Sequence, residues 1–532
     1  MRRSYAGKVK LIYIDPPYNT GGDFVYHDNY KQSIINYLTL TGQVDGDGAP
    51  LISDNDIGGR FHTNWLNMMY PRLMLARDML KDDGVIFVNI DDGEMSNLKS
   101  LLDEVFGQEN FIADVVWQKK YGVSADAKGI PAMQDHILVY QKGANFEPGL
   151  LPRGAKQDAA YQNRDNDPRG PWKSGDLLRM EFRPRDQYKI VSPATGKEHR
   201  PPQGTSWRHP EQKILDMIAD NRVYFGRDGM GVPSVKRFLS EVKQGVVISS
   251  WWPHNDAGHT DEAKKEVSQL IGGGIFDTPK PTRLLEQVFR TANLDDGDIV
   301  MDFFAGSGTT GHAALKFSAT TGKRIRYILI QIPEKLSVDN KDQRGAAEFC
   351  ESIHKPSNLA EVTKERLRRA GKKIREDHPA AKVDTGFRVY KLATSNLKPW
   401  QPDAEDLEVS ILDAVDNVLP GRTEEDLLVE LLLKTGIDLT LPEEKRSIAG
   451  QTVHALGGGT LMVCLGNVGA NDAEALGKGM ADWVDELDPV QSTVYFKDTG
   501  LGADGNRAAT KANLAAILRQ RLGDRIAKIA SI

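Results

Sequence analysis

Asp15-Pro16-Pro17-Tyr18 is a rigid turn that places a carboxylate, a fixed carbonyl and an aromatic ring within four residues. The two prolines hold their φ angles near about −65°, so the acceptor groups are set at little entropic cost. Such a set suits alkylation of an aromatic amine. The lone pair of an exocyclic amine is delocalised into its ring, which makes the nitrogen a poor nucleophile. Acceptors on its two N–H groups draw it toward tetrahedral geometry and stabilise the positive charge that develops in transfer. Asp15 and the carbonyl of Pro16 supply that pair, Pro17 stiffens it, and Tyr18 offers a platform for a base turned out of a duplex. Asp-Pro-Pro is also a common turn, and the tetrapeptide alone leaves that reading open.

A second candidate is Asp302-Phe303-Phe304-Ala305-Gly306-Ser307-Gly308. Glycines let the backbone approach a nucleotide-like ligand, and a helix N-terminus behind them offers unpaired N–H groups. An ATP-binding loop would need Lys after its last glycine, and here Gly311 is followed by His312. Gly306, Gly308 and Gly311 do match the spacing of a dinucleotide fingerprint, so an oxidoreductase stays open on this motif. The acid suited to ribose hydroxyls is Glu334, 28 residues past Gly306.

Each motif ends an apolar run. Val9 to Ile14 reads as a strand stopped by the prolines, and Ile299 to Met301 as a strand leading into the glycine turn. Arg72 to Leu80 reads as a helix with Pro71 in its first turn. Asp82-Asp83-Gly84 reads as a turn and Val85 to Ile90 as a buried strand. After the glycine turn, the sequence predicts a helix at His312 to Lys316, a strand over Arg326 to Ile332 and a charged helix over 359–375. This is the grammar of a parallel α/β sheet, whose ligands lie at the carboxyl ends of strands. Between 121 and 270 the texture is richer in Gly, Pro, Arg and Trp, with short strand-like pieces such as Asp135 to Tyr140. We therefore expect 1–120 and 271–387 to form one Rossmann-like domain, 121–270 to be inserted in it, and 388–532 to be a C-terminal α/β domain.

The 532 residues carry a net charge of −6, unevenly spread. Residues 151–250 hold 18 Lys and Arg against 12 Asp and Glu, whereas 391–532 hold 14 against 22. A basic middle suits nucleic acid and an acidic end suits another protein. Cys350 and Cys464 stand outside any metal-ligand spacing, so no metal is expected and both read as buried small hydrophobes. No membrane span or secretory leader is legible, and the reducing cytoplasm is the expected compartment. Asp438 with Glu443-Glu444-Lys445 loosely matches a nuclease metal site, interrupted by Pro442.

Taken together, the two motifs resemble the amino-methyltransferases of DNA. The catalytic motif comes first, with 284 positions from Tyr18 to Asp302, an order similar to the β class with its inserted target-recognition domain. Stretches such as Leu11 to Gly22, Gly84 to Asp92, Gly258 to Ala263 and Thr278-Pro279-Lys280-Pro281 resemble the modification subunits of type III restriction-modification systems. The resemblance implies an adenine-N6 methyltransferase that uses S-adenosyl-L-methionine. Asp15, Pro16, Pro17 and Tyr18 would carry the target base. Asp302, Phe304, Gly306, Gly308 and Glu334 would line the cofactor site, with Lys280 nearby. It also implies double-stranded DNA as substrate, a homodimer, and a helicase/endonuclease restriction subunit as partner. Arg169, Arg179, Arg183, Arg185 and Arg208 are the candidate DNA contacts. Cytosine N4 is the alternative target, although those enzymes more often carry Ser at the position of Asp15. The family pattern also has a Gly-Asp-Asn segment before the catalytic strand. Only 14 residues precede Asp15 here, so a recognition subunit with impaired catalysis is a further expectation.

Overall fold

The computed structural model describes residues 2–20, 57–123, 129–154, 158–242, 245–398, 418–502 and 506–532. Its centre is a seven-stranded sheet. The strands are β1 (Val9–Ile14), β2 (Leu80–Ile90), β3 (Phe111–Gln118), β4 (Gln134–Gln141), β5 (Trp251–Trp252), β6 (Ile299–Asp302) and β7 (Arg326–Leu329), in spatial order β5-β3-β4-β2-β1-β6-β7. β1 pairs in parallel with β2 and β6, and β6 with β7. β4 runs antiparallel to both β2 and β3, so the sheet is mixed where the sequence predicts wholly parallel pairing.

The apolar runs are continuous because both faces are covered. Ile12, Ile14, Ile86, Val88 and Met301 point to one core, while Leu11, Tyr13, Val85, Phe87 and Val300 point to the other. On the first face lie helices α1 (Ile57–Met79) and α2 (Met95–Phe106). On the second lie α3 (Thr282–Thr291) and α4 (Thr309–Thr321), and α4 is backed in turn by α5 (Leu359–Asp377).

Three local expectations change. Pro71 lies inside α1 rather than at its start. A proline there removes one backbone hydrogen bond, but Trp65, Met68, Met69, Leu73 and Ala76 are all buried on the core side, and that packing outweighs the loss. Leu80 opens β2 instead of closing the helix, and Lys81 to Gly84 bulge out of the strand, since Val9 pairs with Leu80 and Leu11 with Val85. Lys10 fixes the bulge by donating to the carbonyl of Asp83 at 2.7 Å and to its carboxylate at 2.8 Å.

The irregular segment also has different edges. Strand β4, expected within 121–270, is the neighbour of β2 in the central sheet. β5 pairs with β3, and Val267 and Ile271 pack against Phe349, Cys350 and Val362. The inserted part therefore lies between β4 and β5. It has its own small core of Leu177, Ile190, Trp207, Ile214, Val223 and Phe225, and a three-stranded sheet. Lys236 is fully buried there against Asp167 at 2.9 Å.

Helix α6 (Glu424–Thr435) begins at a capping box formed by Thr423 and Asp426. Its Leu427, Leu428, Leu431 and Leu432 join the same core as β1 and β2. Beyond it, β8 (Glu443–Ile448), β9 (Gln451–Leu456), β10 (Leu461–Cys464), β11 (Ser492–Phe496) and β12 (Ile526–Ser531) form a five-stranded sheet with α7 (Ala473–Leu487) and α8 (Arg507–Leu522). Asp438 accepts from Tyr5 and Thr440 and pairs with Arg326, while Glu443 pairs with His454. Those acids are committed to structural bonds, so the nuclease reading falls. Both cysteines are buried and free. Among the described residues no helix is long and apolar enough to cross a membrane.

Because α6 shares the core of the central sheet, Leu431→Ala should cost about 2–5 kcal/mol and move the whole unfolding transition. Urea denaturation followed by tryptophan fluorescence and by circular dichroism checks this. Two separate transitions, with only the C-terminal one displaced, would show an independent unit instead.

Candidate active site

β1 and β6 are adjacent and parallel, with Ile12 opposite Met301, so Asp15 and Asp302 leave the sheet at the same edge. On one flank β1 pairs with β2, and on the other β6 pairs with β7. Such a reversal opens a crevice at the carboxyl ends of the strands, where open α/β sheets bind ligands.

The Asp15 turn is anchored from both helices of its face. Trp65 of α1, fully buried, donates its indole N–H to the carbonyl of Pro17 at 2.6 Å. Asn19, at a φ of 62°, donates to Glu94 at 2.6 Å. Glu94 also accepts from Asn97 at 2.8 Å and meets His62 Nδ1 at 2.6 Å. Lys280, in the segment entering α3, places its ammonium 2.7 Å from Asp15 Oδ2 and 3.0 Å from the Tyr18 hydroxyl. The same nitrogen is 5.1 Å from the centroid of the Tyr18 ring. It therefore lies beside the hydroxyl and does not cover a ring face. The Tyr18 hydroxyl also stands 3.0 Å from Asp15 Oδ1 and 3.1 Å from Asp135 Oδ2. Asn89 turns its amide N–H₂ toward Asp15 at 3.3 Å and toward Tyr18, and Lys119 holds Asp135 at 2.5 Å. Burial, then the charges of Asp15 and Asp135, push the Tyr18 phenol well above its ordinary range, so it keeps its proton.

On the other side, Asp302 is turned inward. Its Oδ1 accepts the Phe304 N–H at 3.0 Å and its Oδ2 the Thr310 hydroxyl at 2.6 Å. Burial pushes this carboxyl up to about 7, opposed by those two hydrogen bonds. Gly306 has a φ of +49°, donates its N–H to Gln331 at 2.8 Å and accepts from Thr363 at 2.5 Å. Gly308 caps α4 at a φ of +83°, and a Cβ there would lie 2.9 Å from the Thr363 methyl. The third glycine of the fingerprint, Gly311, lies within α4, where a Cβ would meet Leu367 at 2.7 Å. Its role is close helix packing. Arg366 of α5, fully buried, donates to the hydroxyls of Ser307 at 2.6 Å and Thr309 at 2.9 Å.

The chemistry of this edge fits a positively charged nucleoside. Glu334, just past β7, has one carboxylate oxygen buried without a hydrogen-bond partner among the described residues, and burial raises its pKa. An unsatisfied buried acceptor is costly, and ribose hydroxyls would satisfy it. Of the glycine turn only Gly306 is part-exposed, and Ser307, Gly308 and the first turn of α4 are buried behind it.

Residues 9–337 match the family model described as DNA methylase, whose members act on N6 or N4 amines. The chain belongs to the DNA methylase family. It is 36% identical over 413 residues to the Mod subunit of the type III restriction-modification enzyme StyLTI of Salmonella typhimurium, and 30% identical over 499 residues to that of EcoP15I of Escherichia coli. These alignments take in 77% and 86% of the chain, and the chain spans 60% and 73% of those two relatives.

Within this DNA methylase the expected residues fall into two groups. Asp15, Pro16, Pro17, Tyr18 and Lys280 are brought together, and Phe304, Gly306 and Gly308 form the neighbouring turn. Lys280, expected near the cofactor, bonds the Asp15 turn. Asp302 holds the glycine turn from beneath. Sequence reasoning missed Asn89, Asp135, Lys119, Trp65, Glu94 and Arg366. A signal existed for Asn89, a lone amide in an otherwise apolar strand, and for Asp135, which stands near the start of one. Of the five candidate arginines, Arg169 is turned into the insert: it pairs with buried Asp167 at 2.9 Å and with Asp220 at 3.1 Å, and stacks on Phe238. Arg179 and Arg208 bond each other's strand, Arg183 pairs with Glu181 at 2.9 Å, and Arg185 is exposed.

Because folding raises Asp302 from 3.8 to about 7, the folded state holds more protons than the unfolded one between those values. The burial penalty is absent at lower pH and grows as pH rises through that window. Asp302→Asn should therefore gain stability relative to the parent between pH 5 and 7 and level off above, as read by urea denaturation. A difference that does not change with pH would overturn this.

Proposed function

We propose that this chain is a site-specific DNA methyltransferase that moves a methyl group from S-adenosylmethionine to the N6 amine of adenine in double-stranded DNA, as the modification subunit of a type III restriction-modification system. The observation that carries this reading is the adjacency of the Asp15-Pro16 turn and the Gly306–Gly308 turn at one crevice of the sheet. An amine held by one turn is in reach of a nucleoside held by the other.

S-adenosylmethionine, when bound, supplies the electrophilic methyl group. The rest is the work of the chain. The target adenine leaves the duplex and lies against Tyr18, whose ring is rigidly placed and whose faces Lys280 does not cover. The two N6–H groups donate hydrogen bonds to Asp15 and to the Pro16 carbonyl, and the one proton that the methylated nitrogen must lose leaves to solvent. As the nitrogen takes positive charge, the part-buried Asp15 carboxylate stabilises it. Glu334 would accept ribose hydroxyls of that cofactor, and the N-terminal turn of α4 lies behind the glycines. Lys280 and Asn89 hold Asp15 in line before substrate arrives, which lowers the reorganisation needed at transfer.

Arg185 and Arg208 are exposed and Arg179 and Arg183 part-buried on the insert, and these four suit phosphate contact, whereas the guanidinium of Arg169 is taken up by Asp167 and Asp220. The acidic 391–532 region suits contact with protein, either in a homodimer or with the restriction subunit.

Asp15→Ala should leave cofactor binding by calorimetry near the parental value and lower turnover by at least about 10²-fold. Digestion of the methylated DNA to nucleosides should give N6-methyladenine. N4-methylcytosine, or parental turnover in the variant, would refute the reading. Replacing Arg179, Arg183, Arg185 and Arg208 together by Ala should weaken binding to all DNA sequences and flatten its salt dependence by about one unit of slope for each phosphate no longer neutralised. An unchanged salt titration would put DNA on another surface.

A further inference from the structure

The Tyr18 hydroxyl has one proton and two carboxylates within reach, Asp15 Oδ1 at 3.0 Å and Asp135 Oδ2 at 3.1 Å. Its lone pairs already face two donors, Lys280 at 3.0 Å and the Asn89 amide. A phenol donates once and accepts twice, so it serves only one of the two acids at a time. Turning the Asn89 amide over would set its carbonyl against both carboxylates, so its N–H₂ side is the one that faces them.

The choice between the acids has consequences for Asp15. Oδ2 of Asp15 is held by Lys280 at 2.7 Å, and Oδ1 has only Asn89 at 3.3 Å besides the phenol among the described residues. A Tyr18 proton on Oδ1 competes with the target amine for that oxygen. Asp135 offers the alternative. It is 2% exposed, lies on β4 and not on the Asp15 turn, and is paired with Lys119 at 2.5 Å. Few buried carboxylates stand beside a reacting group without a task, and the oxygen of this one that faces the phenol has, among the described residues, only Asn89 at 3.5 Å besides.

We propose that Asp135 is a positioning residue for methyl transfer: it accepts the hydrogen bond of the Tyr18 O–H group and so leaves Oδ1 of Asp15 open to the target amine. Lys119 acts behind it by holding the charge of Asp135. The proposal rests on the reading of Asp15 as the acceptor of that amine. No bond is made or broken in this role; one O–H group rotates between two acceptors as the base enters.

The experiment is a double-mutant cycle in the full chain, with single-turnover kinetics and cofactor calorimetry. Asp135→Asn presents an N–H₂ group to Tyr18 and returns the phenol proton to Asp15. It should lower the transfer rate by about 10-fold with KM for DNA and cofactor affinity near parental. In a Tyr18→Phe background no proton competes, so Asp135→Asn should there cost less than about twofold. Asp135→Asn with Lys119→Met removes the ammonium that the first variant leaves unpaired, and should show the same dependence on Tyr18 if the single variant is poorly folded. An equal loss in both backgrounds, or no loss in either, overturns the proposal. Asp15→Ala is measured alongside. If it transfers at the parental rate, the acceptor reading itself fails; if it is inactive and the cycle is additive, only the role of Asp135 fails.

Discussion

The parallel pairing of β1 with β6 is the constraint on which the site depends. These two strands are far apart in the chain, yet Ile12 lies opposite Met301 and the residues that end them emerge side by side. A slip of one residue in this register would send every side chain of one strand to the other face and bury an acid in a core. The slip is excluded because both faces are filled by alternating apolar residues from the same strands. The precision of the site is therefore a property of the core, and the two loops inherit it.

Three aspartates near the crevice illustrate how environment divides one residue type into different tasks. Asp15 and Asp135 each form an ion pair with a lysine, at 2.7 and 2.5 Å. Asp302 has, among the described residues, only an amide N–H and a hydroxyl, and burial raises it to about 7. Glu334 is likewise raised by burial, with an oxygen that bonds nothing among the described residues. The acids with lysines stand on the side suited to a neutral aromatic amine. Those without a bonded cation stand by the glycine turn, the side suited to a sulfonium. The carboxylate–lysine pairs thus lie on one side of the crevice, while the buried cation on the other side, Arg366, bonds the hydroxyls of Ser307 and Thr309 and no carboxylate among the described residues.

The two turns are legible in the sequence because each is local: backbone limits at Pro16 and Pro17 and the glycine spacing at 306 and 308 act within a few residues. The strands that carry them are legible for the same reason. What the sequence hides is what pairing assembles. Asn89 and Asp135 meet Tyr18 only because β4 lies antiparallel beside β2, with Asn89 opposite Ile137 and Ile90 opposite His136. Nothing local distinguishes such a strand from a piece of the insert, which is why the sequence groups β4 with 121–270. The resemblance puts Lys280 near the cofactor site, and only the fold shows that its ammonium bonds the Asp15 turn. The mid-helix Pro71 reads as a start because propensity is local, whereas the burial of Trp65 and Leu73 on either side is not.

Arg169 shows the same limit at the level of charge. Counted in sequence it is one more cation in a basic segment. In the fold, Asp167 is buried between the Arg169 guanidinium and the fully buried Lys236. These two cations hold that carboxylate far below its usual range. Breaking one partner of such a group leaves an uncompensated buried charge, so the cluster behaves as a fixed joint. It ties the turn at 167–169 to the strand Ser234–Phe238, where Phe238 lies under both Arg169 and Arg222. An insert with so small an apolar core gains from such a joint a definite shape. The arginines farther out, with Met180 and Phe182 exposed among them, are then carried on a platform held by that joint. The basic surplus of the segment thus divides into cations that build the platform and cations that remain on its rim.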